Sequence, residues 1–219
     1  MSFELLIARQ AGVVSRDQAL RAGLDPSAVD RLVRTRRWRP LHPRVYLTPG
    51  HPAGDEARAW AAVLWAGPGA VLSGAAAAWW HGLLDDAPPV LAVSAPSRRP
   101  PRPGAAVRCR LLDAPDRTER RGLPVTAAAL AALEAAVELG GTAGRDLLRR
   151  ALPRVGPAEV LAAHRRHPTL AGRALLAGLA SRPRGDLHHP RGVDRALHRR
   201  VEVRASSLRR QARCGAGLP

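Results

Sequence analysis

Residues 59–80 contain no charged side chain. An uncharged run of that length has to be taken out of water, either into a membrane or into a protein core. The run is mainly alanine and glycine, is broken by Gly67, Pro68 and Gly69, and ends at His81 and Gly82. A spanning helix needs about 20 continuous, predominantly apolar residues without such an interruption, so the core is the expected destination. The pattern predicts two buried helices, at 55–66 and 73–81, with a short extended piece at 70–72 between them. Trp79 and Trp80 are neighbours and point in different directions on a helix, so they are expected to pack inside rather than form a base-stacking platform.

Ahead of that run, residues 15–47 carry dense local signals. Residues 3–11 read as an amphipathic helix with Leu6 and Ile7 inside and Glu4, Arg9 and Gln10 outside. Ser15 followed by Gln18 is a capping box that starts a second helix, and Ala22, Gly23 and Leu24 make the turn after it, with glycine free to take a left-handed conformation. Asp25 and Pro26 open a third helix, because Asp accepts from free N–H groups and Pro is pre-set for the first helical position. Val29, Leu32 and Val33 form its core side, leaving Ser27, Ala28, Asp30, Arg31 and Arg34 as a presenting side. Arg36, Arg37 and Arg39 then surround Trp38, and Val45, Tyr46 and Leu47 form a strand after a His42-Pro43 turn. Helix, glycine turn, helix and a strand pair together predict a winged helix-turn-helix.

Charge agrees with a polyanionic partner. The formal net charge is +17, the pI is about 11.8, and every basic side chain other than histidine is an arginine. Such a surplus favours phosphate backbones and salt-sensitive binding, without specifying bases. Part of it is a codon effect, since abundant Ala, Arg, Gly and Pro with neither Lys nor Asn is what a GC-rich genome encodes. Cys109 and Cys214 lie far apart, outside any ligand spacing, so a disulfide framework, a zinc site and a cofactor are not expected. A reducing cytoplasm is the expected location, and the first residues lack the pattern of a secretory leader.

Farther along, strands are expected at 90–94 and 106–112, joined by a basic, proline-rich hairpin loop at 97–104 that carries Arg98, Arg99 and Arg102. Pro124, Val125 and Thr126 lead into a helix at 127–139 stopped by Gly140 and Gly141, and helices follow at 143–152, 157–167 and 170–179. The expected class is α+β, mostly helical: a winged helix-turn-helix (residues 1–49), a mixed α/β domain (55–180), and a basic, disordered tail (181–219). The tail holds ten arginines against Asp186, Asp194 and Glu202. Its His188, His189 and His198 lack partners at ligand spacing and read as part of the basic tail, not as metal ligands.

In block order, the chain resembles the AbiEi-type antitoxins of actinobacteria over residues 5–179. The blocks are the helix-turn-helix with Arg37-Trp38-Arg39 and Arg44-Val45-Tyr46-Leu47, then Leu72-Ser73-Gly74-Ala75-Ala76-Ala77 with His81-Gly82-Leu83, the strand at 90–94, and Gly122-Leu123-Pro124-Val125-Thr126 before a helix. The resemblance implies a repressor that binds double-stranded operator DNA of its own operon. It also implies a second domain that counteracts a nucleotidyltransferase toxin without a stable complex. Chains with this front end often continue into a DUF559-type or very-short-patch-repair-type endonuclease domain, and from Ser181 onward no strand-borne acidic pattern of that kind is present. The end reads as truncated or frameshifted.

The expected reading is therefore non-enzymatic. Ser27, Ala28, Arg31 and Arg34 face the major groove, with Arg31 or Arg34 as the guanine contact, while Arg36, Arg37, Arg39 and Arg44 touch phosphates or the minor groove. Two half-sites would suit a homodimer on DNA, with no membrane partner and no metal. The competing readings are an active nuclease, for which Asp85, Asp86, Asp113, Asp116 and Glu119 are the available carboxylates in apparent turns, a remnant of an endonuclease-like protein that retains only its DNA-binding part, and a module that docks an acidic protein.

Overall fold

The computed structural model describes residues 2–100 and 102–168. The expected helix at 170–179, the tail from 181 and its three histidines lie outside the described residues. Eight α-helices, together with a short 3-10 helix at Ala114–Asp116, and the strands of two sheets account for about 49% and 19% of the described residues.

The first unit runs α1 (Phe3–Arg9), β1 (Val13–Ser15), α2 (Arg16–Arg21), α3 (Pro26–Arg34), β2 (Arg39–His42) and β3 (Val45–Leu47). Local chemistry sets its helix ends as expected. The Ser15 side chain accepts from the Gln18 N–H while Gln18 reaches back to Ser15, Gly23 has φ +92°, and the Asp25 carboxylate accepts from the Ser27 N–H at 2.8 Å. The strands form an antiparallel sheet in the order β1-β3-β2, with Val13 opposite Leu47 and Ser15 opposite Val45. Its pleat sends alternate residues to two different cores. Val14 and Tyr46 join Ala19, Val29 and Trp38 under the helices, whereas Val13, Val45 and Leu47 join the central core on the other side. That is why β3 is buried at all three positions.

Gln10 departs from its expected place outside. It is 4% exposed, and its amide donates to the Val13 carbonyl at 2.8 Å and exchanges hydrogen bonds with the Gln18 amide, so its polar atoms are satisfied inside.

Helix α4 (Asp55–Ala66) lies between the small sheet and a second, larger one, packing against β1, β2 and β3 on one side and β4 and β5 on the other. A helix covered on both sides has no solvent face, which accounts for the absence of charge from Ala59 onward. No helix among the described residues is long and apolar enough to cross a membrane. Trp80, at the end of α5 (Gly74–Trp80), is 2% exposed and donates its indole N–H to the Arg120 carbonyl at 2.7 Å. Trp79 packs beside it.

The second sheet contains β4 (Val71–Leu72), β5 (Leu91–Ala95), β6 (Ala105–Cys109), β7 (Arg117–Arg120) and β8 (Leu123–Thr126), in the order β6-β5-β4-β8-β7. Strands β5 and β6 pair in parallel, from Leu91 opposite Ala105 to Ala95 opposite Cys109. The expected hairpin loop between them is therefore a crossover: a parallel partner has to start beside the beginning of β5, so residues 96–100 and 102–104 run back along the strand, and prolines suit that extended path. Strands β7 and β8 form a hairpin whose turn residues, Arg121 (φ +50°) and Gly122 (φ +78°), are both left-handed, as a two-residue type I′ turn requires. All four residues of β7 are exposed and polar, so no burial pattern marked it as a strand.

Helices α6 (Ala128–Leu139), α7 (Gly141–Val155) and α8 (Pro157–Arg166) pack with α5 in an alanine-rich layer. Small residues bring these helices close: a Cβ on Gly144 would stand 2.1 Å from the Ala136 carbonyl oxygen.

Candidate nucleic-acid interface

The surface of the first unit is organised by which arginines have found carboxylates. Val29 of α3 is fully buried and Leu32 and Val33 are half-buried, so the core side of the helix is as expected. On the other side Ser27, Asp30, Arg31 and Arg34 are exposed, and Ala28 is half-buried. Two of these polar groups are engaged within the protein. The Ser27 hydroxyl donates to the Asp25 carboxylate, and that bond, followed by the Ser27 backbone N–H, holds Asp25 below the usual carboxylate range. Asp30 takes the Arg16 guanidinium at two points, one of them 3.1 Å, and this pairing keeps Asp30 ionised and raises Arg16.

Arg44 is also engaged. It occupies the two-residue turn between β2 and β3 at φ +64°, its guanidinium meets Asp17 at 2.6 Å, and its carbonyl accepts from the Arg16 N–H at 2.7 Å. The hairpin tip is thereby tied to the start of α2. Its cation is partly satisfied before any ligand arrives.

Arg31, Arg34, Arg36, Arg37 and Arg39 differ: all are exposed, and none has an ion pair with a carboxylate among the described residues. For Arg37 and Arg39 the outward aim follows from Trp38. That ring is 4% exposed and packs between Phe3 and Tyr46, at centroid distances of 6.3 and 5.7 Å. With Trp38 turned in, its neighbours Arg37 and Arg39 are turned out. Arg36 leaves α3 at φ +57°, and the Trp38 N–H still reaches back to the Leu32 carbonyl at 3.0 Å.

Beside these arginines lies an open groove of about 430 Å³ whose lining includes Arg36, Arg37, Arg39, Thr48, Pro49 and His51. Its histidine is fixed. Thr48 spends its hydroxyl proton on the Gly12 carbonyl at 2.9 Å, so the His51 Nδ1 lying 3.2 Å from Thr48 Oγ1 and 3.1 Å from the Pro49 carbonyl is the protonated nitrogen. Gly12 is required there, because a Cβ would stand 2.3 Å from the ring, and its φ is +83°.

Two charged clusters were missed by the sequence reading. Glu134 and Glu138, one turn apart on α6, accept from the Gly74 and Ala75 N–H groups at 2.9 Å each, and so cap the start of α5. The same carboxylates receive Arg108 of β6 and Arg110 just after it. Acidic residues at i and i+4 in an otherwise alanine-rich helix, with arginines at i and i+2 at the end of a strand, were the available signal. The second cluster is Asp116, buried ahead of β7 and held by Arg166 and His167 at the end of α8. Burial alone would push Asp116 up; the hydrogen bonds from Arg166 and His167 outweigh it and hold the carboxyl below its usual range. Of the carboxylates weighed for a nuclease, Asp85 and Asp86 lie in a loop and Glu119 lies on β7. Among the described residues no group of three or more His, Cys, Asp or Glu side chains is placed to hold a metal ion.

No family model matches the chain, and no curated protein matches it. Among solved structures it is similar to the crystal structure of the RV2827C protein from Mycobacterium tuberculosis, at 20% identity over 80% of this chain and 78% of that one, with a TM-score of 0.40.

Proposed function

We propose that this protein is a non-enzymatic DNA-binding transcriptional regulator whose residues 1–49 act as a winged helix-turn-helix. In keeping with its resemblance to AbiEi-type antitoxins, it represses its own operon. The observation that carries the reading is the sorting of arginines: among the described residues Arg31, Arg36, Arg37 and Arg39 make no ion pair with a carboxylate and Arg34 meets Asp30 only through space, while Arg16, Arg108, Arg110 and Arg166 are each paired within the protein. Exposed guanidinium groups without a direct carboxylate partner are what a phosphate backbone recruits. The order α1-β1-α2-α3-β2-β3, with β3 central in a small antiparallel sheet, supports a helix-turn-helix with a short wing.

In this reading α3 enters the major groove with Ser27, Ala28 and Arg31 foremost and Arg34 behind. Arg36, Arg37 and Arg39 lie along phosphates, and Arg44 joins them by exchanging Asp17 for DNA. The regulator binds its double-stranded operator as a homodimer, and residues 55–180 serve to counteract a nucleotidyltransferase toxin without a stable complex. The test is binding of the purified protein to its own upstream DNA and to a scrambled duplex, across a salt series, with and without magnesium. Tighter, salt-dependent binding to the upstream fragment without cleavage is the expected result. Equal affinity for both duplexes removes the base-reading roles, and magnesium-dependent cleavage replaces the reading with a nuclease.

A further inference from the structure

The hairpin formed by β2 and β3 is a poor wing. Its strands are four and three residues long, its turn has two residues, and its tip is fastened to α2 through Arg44 and Asp17. Next to it, however, stands a second basic projection contributed by the larger sheet. His42, at the end of β2, stacks on Trp65 of α4 with ring centroids 5.0 Å apart and planes 25° apart. Arg99, in the crossover between β5 and β6, donates from Nε to the carbonyl of Ala66, the very next residue of α4, at 3.1 Å. Hairpin and crossover thus dock side by side on one helical turn. The proximity also has an electrostatic sign: half-burial lowers the pKa of His42 and the charge of Arg102 lowers it further.

The crossover is held in place. Arg99 fastens it to the end of α4, and the Ala105 N–H closes its far end on the Arg102 carbonyl at 3.3 Å. Arg98 and Arg102 remain exposed, with no ion pair to a carboxylate among the described residues. Two free arginines on a pinned, proline-stiffened segment cost less to order against a ligand than the same side chains on a floppy loop.

We infer that the crossover between β5 and β6, through its residues 96–100 and 102–104, takes over the part of a wing, presenting Arg98 and Arg102 to the phosphates of the duplex that α3 engages. This rests on the DNA-binding reading above. The contact carries no base specificity, since it reaches only the backbone. It lengthens the footprint beyond the hairpin and steepens the salt dependence.

The test compares the full chain with an Arg98→Gln/Arg102→Gln variant and with an Arg150→Gln/Arg165→Gln control, which removes the same charge from exposed positions on α7 and α8. Affinity for upstream and scrambled duplexes is measured across a salt series, and thermal unfolding checks that each variant folds. The expected result is a slope of log affinity against log salt reduced by up to about 1.8 for the crossover variant, at about 0.9 per phosphate. Both duplexes should weaken alike, the control should keep the parental slope, and Arg98→Lys/Arg102→Lys should recover most of the loss. An unchanged slope in the crossover variant overturns the inference and leaves the DNA-binding reading standing, as does an equal fall in the control. Failure of the parental protein to bind either duplex overturns both.

Discussion

The buried Asp116 carboxylate receives the Arg166 guanidinium in a fork of three hydrogen bonds, 2.7, 3.0 and 3.1 Å long, joining the turn before β7 to the last residue of α8. Replacing Asp116 by Asn keeps the shape and removes the charge, so Arg166 loses its counter-ion. The expected cost is about 1 kcal/mol, already discounted for the solvent that reaches Arg166, or about 2 to 4 °C in Tm at this size. Thermal unfolding measures it.

The same pair has a pH signature. Because the folded pKa of Asp116 lies below the ordinary value of about 3.9, its contribution to stability is present in full above that value and is lost as pH falls through the lower, folded pKa. The Tm difference between the native protein and Asp116→Asn should shrink as pH is lowered below about 4. A difference constant down to strongly acid pH would show that the pair contributes no charge-linked stability.

Trp38 holds the first unit together and aims its neighbours. Trp38→Ala should destabilise the protein by about 3 to 5 kcal/mol, as for other buried large-to-small changes, and DNA affinity should fall with it. Trp38→Phe should retain most of both. Denaturant unfolding and a gel-shift assay separate the two effects.

Asp17 holds Arg44 at 2.6 Å, and on the proposed reading DNA has to displace it. Asp17→Ala removes a negative charge and the partner Arg44 would have to leave, so binding to any duplex should tighten while the salt slope, which counts the phosphates contacted, stays the same. Weakened binding would mean that the pair instead holds the hairpin in its working position.

Arg31 and Arg37 should behave differently although both are exposed and unpaired. Arg31→Ala should reduce the preference for operator over scrambled DNA by about tenfold or more, the worth of one bidentate base contact. Arg37→Ala should leave that ratio alone and weaken both duplexes together. Competition binding reads both numbers.

What was legible in the sequence was local. Ser15 with Gln18, Asp25 with Pro26, and the glycines after α2 and α6 mark helix ends because a cap is made by residues within three or four positions of one another. The uncharged run pointed to a buried helix for a reason equally close at hand, since a stretch without charge has nothing to offer water. Partnership was different. That α4 lies between two sheets, that β6 runs parallel to β5, that Gln10 is satisfied by Gln18, and that Arg44 is held while Arg37 is free were all decided by which distant segments the fold brings together. An arginine reads the same in sequence whether a carboxylate waits 27 positions away or none does, and only the tertiary structure sets the distance on which its charge depends.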